Sequence, residues 1–302
     1  MSIIPNPLPI LHVLAAIAAA TLVIITITVI GSYTIRRYEL GNRESAGPST
    51  PYTLPPFRRA LGIAGEVAAV FLCVVLYPFG YVIGEPSRAK LRRGERAVVL
   101  CHGYMSNRSA FFVLRYVLGR MGRKNVISLN FRPASASIPR FAEQLSEAVN
   151  LALSRTGCDT VDLIGHSMGG LVVRYFIEKL GGARCVHTAI TLGAPHRGTK
   201  TAVLGLFKTA EQFRPDSSFI RELNQGLPAS GPVNMVAIWS DFDTVVLPPE
   251  NARLPEPYTN VMVTGVGHVA YLFSLQVFKH VRLALRESTA ALRYGHGETR
   301  YI

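Results

Sequence analysis

The sequence predicts an α/β chain: a mainly parallel central sheet with helices on both faces, preceded by one or two transmembrane helices. Three observations carry this. Short runs rich in Val, Ile and Leu alternate with helix-like stretches from Ala97 to Glu287, the pattern of βαβ units. A Gly-x-Ser-x-Gly turn, Gly165-His166-Ser167-Met168-Gly169, stands between one such run and one such stretch. Two long apolar runs, almost free of charge, precede the alternation.

The first run, Leu8 to Ile30, holds no Asp, Glu, Lys or Arg. About 20 helical residues cross a bilayer, so the run is long enough. Residues 1–7 carry no Lys or Arg, which favours a retained anchor over a cleaved signal with its basic start. Residues 31–60, rich in Gly, Pro, Ser and Thr, read as an irregular polar loop. The second run, Leu61 to Gly84, is broken by Glu66 and Pro78. Membrane helices tolerate proline, and a charge near the start of a span can reach the headgroups. This run reads as a second span; the competing reading is a helix buried against the globular domain. Residues 85–95 are a basic linker. The division is therefore 1–95, a membrane anchor region with spans at 8–30 and 61–84, and 96–302, a catalytic domain.

Orientation follows from the basic residues. Arg36, Arg37, Arg43, Arg58 and Arg59 lie between the runs; Arg88, Lys90, Arg92, Arg93 and Arg96 follow the second. That comparison ties. Across the first run alone the bias is five against none, so the loop is expected in the cytoplasm and the catalytic domain outside it.

Within 96–302 the expected strands are Ala97 to Cys101, Asn125 to Phe131, Val161 to Ile164, Val186 to Leu192, Val233 to Trp239 and Asn260 to Thr264. Their β-branched, continuously apolar character suits a parallel sheet covered on both faces. The expected helices are Ser109 to Gly119, Ile138 to Arg155, Met168 to Leu180 and Val269 to Glu287. Residues 199–232 interrupt the alternation, with turns at Pro215-Asp216-Ser217-Ser218 and Gly226-Leu227-Pro228 around a short helix ending at Asn224. This segment leaves the carboxyl end of a strand, where active sites of such sheets gather, so it is expected to form a small cap or a wall of the site.

The Gly-x-Ser-x-Gly turn points to nucleophilic chemistry. Gly165 and Gly169 leave room for a sharp turn that exposes the Ser167 hydroxyl above the sheet, at the N-terminus of a helix that favours negative charge. A serine hydroxyl needs a base. His268, in Gly265-Val266-Gly267-His268, follows a strand end and precedes a helix. His196 also follows a strand end but comes before the acid candidates, out of the order Ser, acid, His. The acid is Asp243 in the loop after Trp239, preferred over Asp241, which reads as a solvated or turn-forming residue. The backbone amides of Met168 and Tyr104 are the expected oxyanion donors.

Composition bounds the partners. The net charge is +13, read as a solvated surface with basic residues near anionic lipid headgroups, worth about 1 kcal/mol each. No basic motif interleaved with aromatics points to nucleic acid. The four cysteines, Cys73, Cys101, Cys158 and Cys185, lack zinc-ligand spacing. Cys73 and Cys101 read as buried apolar residues; Cys158 and Cys185 are either two free thiols or a disulfide outside a reducing cytosol. No metal or cofactor is expected.

Together, His102-Gly103-Tyr104, Gly165 to Gly170, Thr191-Leu192-Gly193-Ala194-Pro195-His196-Arg197-Gly198-Thr199, Ser240 to Val246 and Gly265 to His268 resemble the bacterial class 2 lipases and esterases of the α/β-hydrolase fold, including the small cap-free lipases. The match covers residues 96–287. It implies hydrolysis of lipid-like carboxylic esters, with Ser167 as nucleophile, Asp243 as acid, His268 as base, and Met168 and Tyr104 as amide donors. The expected N-terminal anchor then places the chain at the bacterial inner membrane. The same triad serves acyl transfer, thioester cleavage or amide cleavage equally well. The N-terminal apolar region departs from the family's cleavable signal and suggests esters of the enzyme's own membrane as substrate. A non-catalytic binding module on the same fold is the reading that a complete triad argues against.

Overall fold

The computed structural model describes residues 8–42, 54–82, 91–225, 233–286 and 300–301. The expected N-terminal tail, most of the basic linker and the Gly226-Leu227-Pro228 turn lie outside them. The strands are β1 Val98–Cys101, β2 Val126–Ser128, β3 Val161–His166, β4 Val186–Leu192, β5 Asn234–Ser240, β6 Thr259–Val263 and β7 Arg300–Tyr301. They form one sheet in the order β2-β1-β3-β4-β5-β6-β7, and every pairing is parallel. The helices are α1 Leu8–Gly41, α2 Pro56–Leu76, α3 Phe79–Val82, α4 Phe112–Arg120, α5 Ile138–Thr156, α6 Met168–Lys179, α7 Lys208–Gln212, α8 Ser218–Gln225 and α9 Leu275–Arg286.

Strand side chains alternate between two cores, as a period of two requires. Val98 and Leu100 join Leu114 of α4 and Val281 of α9 on one face. Val99 and Cys101 join Leu145 of α5 and Leu171 of α6 on the other. This is the α/β-hydrolase fold, with helices covering both faces.

All six expected strands are present, but β2 is shorter than its apolar run. Asn130 leaves the ladder because its side chain accepts from the Arg108 amide and donates to the Gly80 carbonyl. The last helix starts later than expected, at Leu275, after a short 3₁₀ turn Ala270–Leu272. Ser274 supplies its start, bonding the Val277 amide through Oγ and the Phe278 amide through its carbonyl.

The N-terminal segments differ most from expectation. Residues 31–41, read as the start of an irregular loop, continue α1. Its 34 residues span about 50 Å at 1.5 Å per residue, well beyond the ~30 Å of a hydrocarbon core. The extension is held by the sheet domain. The Tyr33 ring packs on Phe242 at 4.5 Å, Arg36 donates to the Asp241 carbonyl, and Glu39 pairs with Lys200. Helix α2 lays one stripe, Gly62, Glu66 and Ala69, against the sheet domain and α1, and leaves Leu61, Leu72 and Val75 exposed. Both α1 and α2 are long and apolar enough to cross a membrane.

Candidate active site

Strand β3 ends at His166 and α6 begins at Met168, so Ser167 alone makes the turn, with φ 55° and ψ −125°. A positive φ is strained for a residue with a Cβ. The surroundings fix it: the Ser167 amide donates to the Leu192 carbonyl, and the Ser167 carbonyl accepts from Gly170. Only glycine fits on either side. A Cβ on Gly165 would lie 2.4 Å from the Gly169 carbonyl oxygen, and one on Gly169 would lie 2.1 Å from that of Cys101.

The loop after β5 brings Asp243 fully inside. One carboxylate oxygen accepts from the Val245 and Val246 amides at 2.8 and 2.9 Å. Both oxygens face His268 Nδ1, at 2.9 and 3.1 Å. Nδ1 therefore carries a proton, and in the neutral ring Nε2 is the basic nitrogen. Burial alone would lower the His268 pKa, but the Asp243 charge and hydrogen bond, with Glu66 adding to them, reverse this and raise it above the ordinary histidine value. The His268 carbonyl accepts from His166 Nε2 at 2.9 Å. His166 itself is pushed down to about 3, by burial first and then by the neighbouring His268.

Ser167 and His268 line one cavity of about 870 Å³, and Tyr104 and Met168 line it too; Asp243 sits behind His268. The backbone runs close to the serine at Gly103, where a Cβ would meet the Ser167 Cβ at 3.1 Å. The Tyr104 hydroxyl accepts from the Leu206 and Phe207 amides, fixing the segment after β4. That segment, expected as a cap or wall, contributes Val203, Leu204 and Phe213 to the cavity.

Other candidates are drawn elsewhere. His196 is fully buried, with Nε2 against the Thr191 hydroxyl at 3.0 Å. His102 accepts from the Phe131 amide through Nε2, and burial lowers its pKa to about 4. Asp241, read as a solvated or turn-forming residue, lies in a turn and is not solvated, being only 2% exposed. Its side chain accepts from the Gly265 amide, tying the loop of Asp243 to the loop of His268. The four cysteines are free.

Sequence reasoning held packing of the second apolar run on the sheet domain only as a competing reading, and missed that both N-terminal helices line the cavity. Ser32 and Ile35 of α1 and Val70, Cys73 and Val74 of α2 form a wall of the same cavity. Glu66, expected near lipid headgroups, is instead 3% exposed and accepts from the Val269 and Ala270 amides, directly after His268. The available signal was a lone carboxylate in an otherwise apolar run, which asks for a buried partner.

A family model described as palmitoyl protein thioesterase matches residues 97–223. A triacylglycerol lipase from Pseudarthrobacter phenanthrenivorans is 43% identical over 60 residues, 20% of this chain and 18% of that relative. The chain thus spans less than a fifth of that lipase's length. Aspergillus fumigatus lipase B superposes with a TM-score of 0.56 at 21% identity, over 65% of this chain and 53% of that one. The mature form of Bacillus licheniformis lipase BlEst2 gives 0.54 at 16% identity, over 64% and 94%. At these identities the structural likeness is one of fold. The chain has the α/β-hydrolase fold and is similar to the bacterial lipases and esterases built on it.

Proposed function

We propose that the chain is a membrane-anchored serine hydrolase that cleaves carboxylic esters with lipid-like acyl groups. The supporting observation is the Asp243–His268 pair, its basic nitrogen left for the cavity in which Ser167 sits on a strained turn. Ser167 Oγ attacks the ester carbonyl while His268 Nε2 takes its proton and passes it to the departing alcohol. The acyl group remains on Ser167 until water, deprotonated by His268, releases it as the acid. Asp243 holds the tautomer and stabilises the imidazolium. The Met168 and Tyr104 amides carry the oxyanion.

The apolar cavity wall supports acyl chains as substrate, and its volume lies in the usual ligand-pocket range of about 300–1,000 Å³. The exposed Val203, Leu204 and Leu206 near its rim support contact with lipid. In this reading residues 8–30 of α1 are the anchor. Helix α2, docked through its Gly62, Glu66 and Ala69 stripe, belongs with the hydrolase rather than crossing the bilayer. The basic residues that follow residue 30 then share a side with the hydrolase, and the positive-inside rule favours the cytoplasm. A fluorescent protein fused to the C-terminus checks this: fluorescence is expected, and its absence from a stable fusion contradicts the orientation.

A fluorophosphonate probe is expected to label the wild type and not Ser167→Ala, and hydrolysis of a p-nitrophenyl ester to fall about 10⁴-fold or more in that variant. Equal labelling of both refutes the serine hydrolase. The match to a palmitoyl protein thioesterase model favours a second reading, thioester cleavage by the same groups. The ratio of kcat/KM on an oxygen ester and a thioester of the same acyl chain separates the two.

A further inference from the structure

Glu66 is a buried carboxylate that the catalytic scheme above does not use. It stands on α2, outside the sheet domain, yet bonds the loop that carries the base. Its Oε1 accepts from the Val269 amide at 2.9 Å, and its Oε2 from the Ala270 amide at 2.9 Å. These are the first donors of the 3₁₀ turn Ala270–Leu272, whose own cap residue supplies no side-chain bond. On the other side of His268, Gly267 presses on the same carboxylate: a Cβ there would lie 2.3 Å from Glu66 Oε2. One turn earlier on α2, a Cβ on Gly62 would lie 2.8 Å from the Gly265 carbonyl and 2.5 Å from the Phe242 ring. Helix α2 therefore meets the residues flanking His268 through two glycine approaches and one acid.

We propose that Glu66 is a positioning residue for His268, holding the loop of the base from α2 through the two amides that follow it. The proposal rests on the serine hydrolase reading. The groups facing His268 are Asp243 from the loop after β5, His166 at the end of β3, Tyr271 from its own turn and Glu66 from α2. Tyr33 and Arg36 of α1 stand behind them, by Phe242 and Asp241. Of these, Asp243 fixes the ring, His166 the carbonyl and Glu66 the amides that follow. A base displaced by a fraction of an ångström loses rate without losing substrate affinity.

The test uses the full chain in detergent with a soluble short-chain p-nitrophenyl ester. Glu66→Ala is expected to lower kcat about tenfold or more with KM little changed. Glu66→Gln, which keeps an acceptor for the two amides, is expected to recover most of that loss, and Glu66→Leu none of it. Unchanged kcat in Glu66→Ala and Glu66→Leu, with only a lower Tm, overturns the proposal. If neither folds, Glu66→Asp, whose shorter arm draws on the same amides, decides: a lower kcat at unchanged KM supports the proposal and a wild-type kcat overturns it. Fluorophosphonate labelling of the wild type is read alongside. Its failure removes the hydrolase reading, whereas normal labelling with unaffected Glu66 variants removes only this inference.

Discussion

Helices α1 and α2 pass the same test of length and hydropathy, yet they pack differently on the sheet domain. Helix α1 turns Leu14, Ile17, Ile24 and Ile27 outward, buries Ile25 and Val29, and is tied to the sheet domain at Tyr33, Arg36 and Glu39. Helix α2 meets it from Gly62 onward, burying a carboxylate on the way. Hydropathy reports that a segment wants an apolar surrounding; it does not say whether lipid or protein provides it. The ionisable residue does. A charge at the centre of a membrane helix costs about 2.5–3.5 kcal/mol on insertion scales, whereas Glu66 has backbone donors waiting.

Truncation tests this contrast most severely. Deleting residues 54–82 is expected to lower kcat/KM on a soluble ester about 100-fold or more, because the base loop and one cavity wall lose their support. Deleting residues 2–20 leaves too few apolar residues to cross about 30 Å, and is expected to release the protein from membranes with ester hydrolysis intact. Equal losses of hydrolysis from both deletions break the distinction. A smaller effect comes from filling the wall. Val70→Trp is expected to reduce kcat/KM on a long-chain ester about tenfold relative to an acetyl ester; Ile24→Trp on the exposed face of α1 should change neither. A chain-length series measures both. The smallest effect is a displacement in pH. The raised His268 pKa places the acid limb of kcat/KM above about 6.5, the ordinary histidine value. Activity needs the neutral ring and is gained as pH rises through that limb. The stability from the charged pair has the opposite sign: complete below the unfolded pKa, it is lost as pH rises through the folded one. Rate and Tm followed over the same pH range should therefore move in opposite directions, and parallel changes contradict the assignment.

The sheet and its site residues were legible because each is a local pattern. Short β-branched runs announced the strands. The Gly165–Gly169 spacing announced the serine turn, and chain order singled out His268 and Asp243 over His196 and Asp241. The helical contribution was illegible for the opposite reason. Tyr33, Arg36 and Glu39 look like loop residues until Phe242, Asp241 and Lys200 are brought to them from 160 residues or more away in sequence. Without those partners nothing in residues 31–41 demands a helix. The same is true of Asp241, whose burial follows from the Gly265 amide and Arg36 rather than from its own sequence neighbourhood.

The unbroken course of α1 has a mechanical consequence. A single helix from Leu8 to Gly41 contains no joint between the part proposed as the anchor and the part clamped by Phe242 and Asp241. With residues 8–30 in lipid, as proposed, the cavity would not swivel on a tether; it would be carried at a set height and tilt, like a tool on a rigid arm. Which bonds fall within reach would then depend on how deep they lie in the leaflet as well as on their chemistry.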